Sequence, residues 1–145
     1  MSTEAEREAL AAKFDRHADE EGRILDQYRT LAEALGDGPA GMLVNQILTE
    51  EEIHHLLLRT MATWLREHSD APPAAMGRDV NRTELLRLTD TLQHHERETI
   101  DACRLMMGQL SGASSHLLRT LLEMMVLDSE KHHRLLTTVQ ELLKA

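Results

Sequence analysis

Apolar residues along the first third of the chain recur at Leu10, Phe14, Ile24, Tyr28, Leu31 and Leu35, a heptad-like stripe on one side of a helix. The capping pattern Thr3 to Glu6 opens this helix, and Gly36 closes it. Pro39 then takes a first-turn position, and Val44, Ile47, Leu48, Leu58, Met61 and Leu65 mark a second stripe running to about His68. SDAPPAAMGRDVN at 69 to 81, with two consecutive prolines, reads as the longest linker, and Asn81 with Glu84 forms another capping pattern. Leu85, Leu88, Leu92, Cys103, Met106 and Leu110 outline a third helix. GQLSGASS at 108 to 115 turns the chain, and Leu118, Leu121, Leu122, Met125, Leu136, Val139 and Leu143 outline a fourth.

The two halves repeat. An offset of 78 residues places His17 on His95, Glu20 on Glu98, Glu50 on Asp128, Glu52 on Glu130, His54 on His132 and His55 on His133, without a gap. Leucines match by chance in many registers; three histidines and three acids do so far less readily. The pattern predicts an all-α fold, an antiparallel four-helix bundle built from a duplicated helical hairpin, as one domain over residues 1–145.

Composition sharpens this expectation. One Phe, one Tyr and one Trp leave the core to Leu, Met, Ala, Ile and Val, most of which favour helix. The net charge of -9 comes without a basic cluster, which argues against nucleic acid or an anionic lipid surface as partner. No apolar run reaches membrane-spanning length, the N-terminus lacks an apolar signal core, and the single Cys103 cannot close an intrachain disulfide, so a cytoplasmic setting is expected. Cys103 and Met106, Met107, Met124 and Met125 are read as packing residues rather than as a nucleophile or thioether ligands. Nine histidines have no such explanation.

At ~100° per residue, each polar side chain can be placed relative to its helix's apolar stripe. Glu21 falls near the centre of the first stripe, with His17 beside it. His54 faces inward on the second helix between Glu50 and Glu51, with His55 nearer the edge and Glu52 pointing away. His95 faces inward on the third helix with Glu96 flanking, and His132 does so on the fourth, flanked by Asp128. Burying such groups without partners costs several kcal/mol each, against a net stability of about 5–15 kcal/mol for a whole domain. Mixed carboxylate and imidazole donors are what iron, manganese or zinc bind.

These residues carry a resemblance. EGRILDQYRTLAEALGD at 21 to 37, ILTEEEIHHLLL at 47 to 58 and LDSEKHHRLL at 127 to 136 resemble helices of the ferritin-like superfamily, closest to its rubrerythrin-type members. The resemblance implies a ligand glutamate at Glu21 seven residues before an inward tyrosine, Tyr28, and a Glu-x-x-His motif at Glu51 and His54. It also implies a di-iron cofactor that oxidises iron or reduces dioxygen or peroxide. The second half departs from the family pattern, because Thr99 and Ser129 stand opposite Glu21 and Glu51 under the offset. The expected metal set is therefore Glu21, Glu51, His54, His95, Asp128, His132 and His17, with Glu96 as another substitute on the third helix. The register Glu20, Glu52, His55, Glu98, Glu130 and His133 is the alternative.

Two further readings compete. The histidine-rich set, with HHE at 94 to 96, resembles hemerythrin-like bundles that bind oxygen, although glutamate precedes histidine on the second helix here. The other is a non-catalytic bundle that works as an interaction protein. Under the redox reading dioxygen or peroxide is the substrate, a homo-oligomer is left open, and reduction needs an external electron donor because the chain has no CxxC pair.

Overall fold

The computed structural model describes residues 3–67, 81–113 and 115–144. Four helices account for nearly all of them: α1 (Glu4–Leu35), α2 (Pro39–Glu67), α3 (Arg82–Gln109) and α4 (Ser115–Lys144). The chain divides into two compact units at residues 72 and 73, one helix pair in each. The all-α, duplicated-hairpin class read from the four stripes is the class observed. The linker expected at 69 to 81, except Asn81, lies outside the described residues, as does His68.

The ends of the helices follow local chemistry. Thr3 Oγ1 accepts the Glu6 N–H at 3.1 Å and Glu6 Oε2 accepts the Thr3 N–H at 2.7 Å, a reciprocal cap. Asn81 Oδ1 accepts the Glu84 N–H at 3.2 Å. Between α1 and α2 the chain reverses over three residues. Gly36 has φ 64°, in the left-handed region that favours glycine, and a Cβ on Gly41 would stand 1.9 Å from the Gly36 carbonyl oxygen. The turn can close this tightly because neither position carries a side chain.

Inside the first hairpin the seam is made of small residues. Ala11, Ala18, Leu25 and Ala32 are buried at intervals of seven on α1. On α2 the same interval runs through Gly41, Leu48, His55 and Ala62, the first and last buried and the middle two half-buried. Glu8 pairs with Arg66 at 3.0 Å and Asp15 with Arg59 at 3.2 Å, so a step of seven forward on α1 is a step of seven back on α2. This fixes an antiparallel register. The stripe of larger residues was expected to be the core, but Leu10, Ile24, Leu31 and Leu35 are 39–46% exposed. Close approach of two helices selects the smallest side chains, and the larger ones flank them. Phe14, Tyr28 and Trp64, the only aromatic residues, all belong to this hairpin and are half-buried.

The second hairpin repeats the plan with different groups. Thr89, Gln93 and Cys103 are buried on α3, and Val126, Ser129 and Leu143 on α4. Gln93 Nε2 donates to Thr137 Oγ1 at 2.8 Å and to the His133 carbonyl at 3.4 Å. Under the offset of 78, Gln93 and Thr137 stand where Asp15 and Arg59 stand in the first hairpin. A neutral rung between the helices thus replaces a charged one at the same place. Cys103 is 1% exposed, a packing residue as expected. Met106 and Met125 were expected in a core; they are 42% and 47% exposed, because they lie off the seam with the flanking leucines.

Candidate metal centre

Three carboxylates stand out by burial. The side chains of Glu21, Glu51 and Glu96 are only 18%, 22% and 16% exposed, whereas the imidazoles of His17, His54 and His132 are 50–60% exposed. The sequence reading placed acid and imidazole alike toward the interior. The acids hold the inward places, and the histidines lie at the edge, beside them.

In the first hairpin four of the expected residues adjoin. Glu21 on α1 and Glu51 on α2 meet across the seam, carboxyl against carboxyl, and a hydrogen bond that protonated Glu51 donates to Glu21, followed by burial, holds the Glu51 carboxyl above its ordinary range. His17 Nε2 lies 3.8 Å from Glu21 Oε1, one turn earlier on the same helix. His54 Nδ1 lies 3.8 Å from Glu51 Oε1, three residues later on its own helix. The order His17, Glu21, Glu51, His54 is therefore continuous from one helix to the other. Glu21 Oε2 is buried with no hydrogen-bond donor. Two facing carboxylates leave such an atom to be satisfied by a shared proton or by a cation. His17, Glu21 and His54 also line a cavity of 260 Å³, with Leu57, Leu58 and Met61 as its apolar wall.

His55 occupies the seam itself, between the half-buried Leu48 and the buried Ala62 in the interval of seven. Its Nδ1 is buried without a hydrogen-bond partner, and a Cβ on Gly22 would stand 3.6 Å from its Cε1. The sequence reading put His55 at the edge. The seam spacing Gly41, Leu48, His55, Ala62 is visible in the sequence, but it competes there with the more hydrophobic stripe one position away.

In the second hairpin fewer groups come together. Glu96 Oε1 on α3 lies 3.4 Å from His132 Nδ1 on α4. Ser129 is buried at 5% exposure in the place corresponding to Glu51, and Thr99 is half-buried opposite Glu21's place. His95 is exposed on α3. Asp128 pairs with Lys131 at 3.5 Å. His133 Nε2 is buried without a partner, like the His55 nitrogen in the first hairpin.

The alternative register is split by its own surroundings. Glu52 pairs with Arg29 at 3.6 Å and Glu130 with Arg104 at 3.4 Å, both half exposed, while His55 and His133 turn into the seams. Glu98 pairs with His94 at 3.0 Å and Glu20 with His17 at 3.7 Å on the outer faces. Glu52 and Glu130 point away from the apolar side, as the helical angles predict.

The first hairpin brings together two carboxylates, one of them with a buried oxygen lacking a donor, and two imidazoles. They adjoin in pairs. Among the described residues, no three His, Cys, Asp or Glu side chains already converge on one point. Among the same residues no helix is long and apolar enough to cross a membrane. The chain matches no family model, no curated protein and no solved structure.

Proposed function

We propose that the protein binds a first-row transition metal at Glu21 and Glu51, with His17 and His54 beside them, and carries out redox chemistry there on dioxygen or peroxide. The observation that carries this reading is the buried Glu21 Oε2, which has no donor and belongs to a carboxyl group that meets the carboxyl group of Glu51. Iron is the metal implied by the ferritin-like resemblance, and manganese and zinc suit the same donors. When bound, iron would supply open coordination positions and the electrons for oxidation of the metal by dioxygen or peroxide. Glu21 and Glu51 supply the negative charge that holds a dication. His17 and His54 supply neutral nitrogen donors from the exposed side. Leu57, Leu58 and Met61 form an apolar wall of the adjoining cavity. Electrons for any return to the reduced state come from an external donor.

Elemental analysis of protein expressed with iron, manganese and zinc supplementation tests this reading. Stoichiometric iron is the expected result, with peroxide-driven oxidation of the ferrous protein as the following assay. Metal-free protein from all three media would remove the metal reading.

A second reading, an interaction protein, is favoured by Leu56, Leu105, Leu127 and Leu135, which are 64%, 67%, 59% and 57% exposed. Exposed leucines in this number are what a helical partner or a second copy covers. Sedimentation velocity across a concentration series distinguishes a self-associating chain from a monomer.

A further inference from the structure

Resting on the interaction reading above, we infer that the first hairpin binds a basic amphipathic helix of another protein, laid along its apolar face. The two sides of this hairpin are unlike. Helical angles taken about the buried row Ala11, Ala18, Leu25 and Ala32 put Leu10, Ile24 and Leu31 on one side of α1, together with Glu21, and Asp15 and Asp19 on the other. α2 divides in the same way about His55 and Ala62, with Ile47, Leu58 and Met61 toward the first side and Glu52, Arg59 and Arg66 toward the second.

The arginines are spent on the second side. Arg29 pairs there with Glu52, Arg59 with Asp15 and Asp19, and Arg66 with Glu8 and Asp15. On the first side the ion-pair partners of Glu21 and Glu51 are histidines of their own helices, 3.8 Å away, and among the described residues no lysine or arginine pairs with either acid. The imbalance extends to the whole unit. Residues 1–72 carry seven lysines and arginines against fifteen acids, and residues 73–145 nine against ten, so nearly all of the net charge of -9 belongs to the first unit.

An exposed apolar face in acidic surroundings is the complement of a helix that is apolar on one side and basic along its margins. A second copy of this chain would bring its own excess of acid to the contact, and like charges set against each other cost affinity. The dimensions suit a helix. Leu10 to Leu31 span about 30 Å of α1 at a rise of 1.5 Å per residue. The 260 Å³ cavity lined by His17, Glu21, His54, Leu57, Leu58 and Met61 opens on the same side and gives one side chain of the incoming helix a place to anchor.

Fluorescence anisotropy of two labelled peptides with the full-length chain tests the inference. Both are helices of about 20 residues with the same leucine row, flanked in one by lysine and arginine and in the other by glutamate. The basic peptide should bind at least ~10-fold more tightly, and salt should erode the difference. Met61 and Val139, equivalent under the offset of 78, are 40% and 39% exposed. Met61→Glu should weaken binding of the basic peptide ~10-fold or more, whereas Val139→Glu should not weaken it. Attraction to net charge alone would strengthen with either added carboxylate, so it cannot imitate that result. Circular dichroism checks that both variants fold, and the comparison of the two peptides on the wild type stands without them. Equal affinity for the two peptides, equal effects of the two substitutions, or dimers that Met61→Glu dissolves would overturn the basic-helix partner and leave the interaction reading in place. Neither peptide bound by a wild-type chain that sediments as a monomer would overturn both.

Discussion

Glu21 and Glu51 stand carboxyl to carboxyl across the seam of the first hairpin, and the contact raises the proton affinity of Glu51. Few arrangements in a helical hairpin are less comfortable at neutral pH. An acid whose folded pKa is raised contributes stability that is fully present below its unfolded value, about 4.3, and is lost as pH rises through the folded value. Metal-free protein should therefore lose this contribution as pH rises above about 4.3, the unfolded value. Glu51→Gln, which removes the charge and keeps the shape, should melt at or above the metal-free wild type at neutral pH, and the difference should vanish near pH ~4. Thermal denaturation of both proteins across pH reads this directly; a lower melting temperature for Glu51→Gln at neutral pH would show that the acids are not in repulsion.

A cation held only by the folded chain stabilises it by about 3 kcal/mol when present at a hundredfold excess over its Kd. In a domain of this size that corresponds to a rise in Tm of roughly 10 °C. Chelation should reverse the rise in the wild type and have a smaller effect on His54→Ala. Scanning fluorimetry with and without chelator measures both.

The α1–α2 turn makes a sharper prediction about stability. A methyl group on Gly41 would collide with the Gly36 backbone, whereas one on Gly38 meets nothing within 4 Å. Gly41→Ala should cost about 1–3 kcal/mol, the range for overpacking a closed site. Gly38→Ala should cost far less. Urea denaturation of the two variants compares them under identical conditions.

The equivalent rungs of the two hairpins should differ in strength. Gln93 is buried at 6% exposure and donates to Thr137, so Gln93→Ala leaves a hydroxyl without its donor and should cost about 1–3 kcal/mol. Asp15 bonds the guanidinium groups of Arg59 and Arg66 at the surface, where water competes and salt screens. The arginines hold the Asp15 and Glu8 carboxyls below their ordinary range, so the contribution is present above the unfolded pKa and is lost as pH falls through the folded one. Asp15→Ala should cost less than Gln93→Ala, and its cost should shrink in high salt. Chemical denaturation at two ionic strengths checks the order.

The elements were legible because their signals are local. Thr3 with Glu6, Gly36, Pro39 and Asn81 with Glu84 each act within one turn of backbone, and each marks a boundary within a residue or so of the observed one. The matched acids and histidines revealed the duplication for a related reason: an offset needs no knowledge of packing. The seam was harder. Hydrophobicity favours Leu10, Ile24 and Leu31, but the approach of two helix backbones favours Ala11, Ala18 and Ala32, and only the second criterion decides which face closes the hairpin. The candidate site inherits that difference. A seam centred one residue along each helix carries His55 inward and brings Glu21 and Glu51 into contact, while His17 and His54 move to the rim. Glu96 was legible only as a substitute on the third helix; its pairing with His132 depends on a partner from another helix, which no single-helix angle supplies.

With Phe14, Tyr28 and Trp64 all in the first hairpin, the molecule is optically lopsided. Tryptophan emission reports from Trp64 on α2, whereas far-ultraviolet circular dichroism weighs all four helices. The chain thus carries its own internal comparison: superimposable unfolding curves from the two signals mean that the dark half melts with the bright one, and separated curves mean that each hairpin keeps its own melting point.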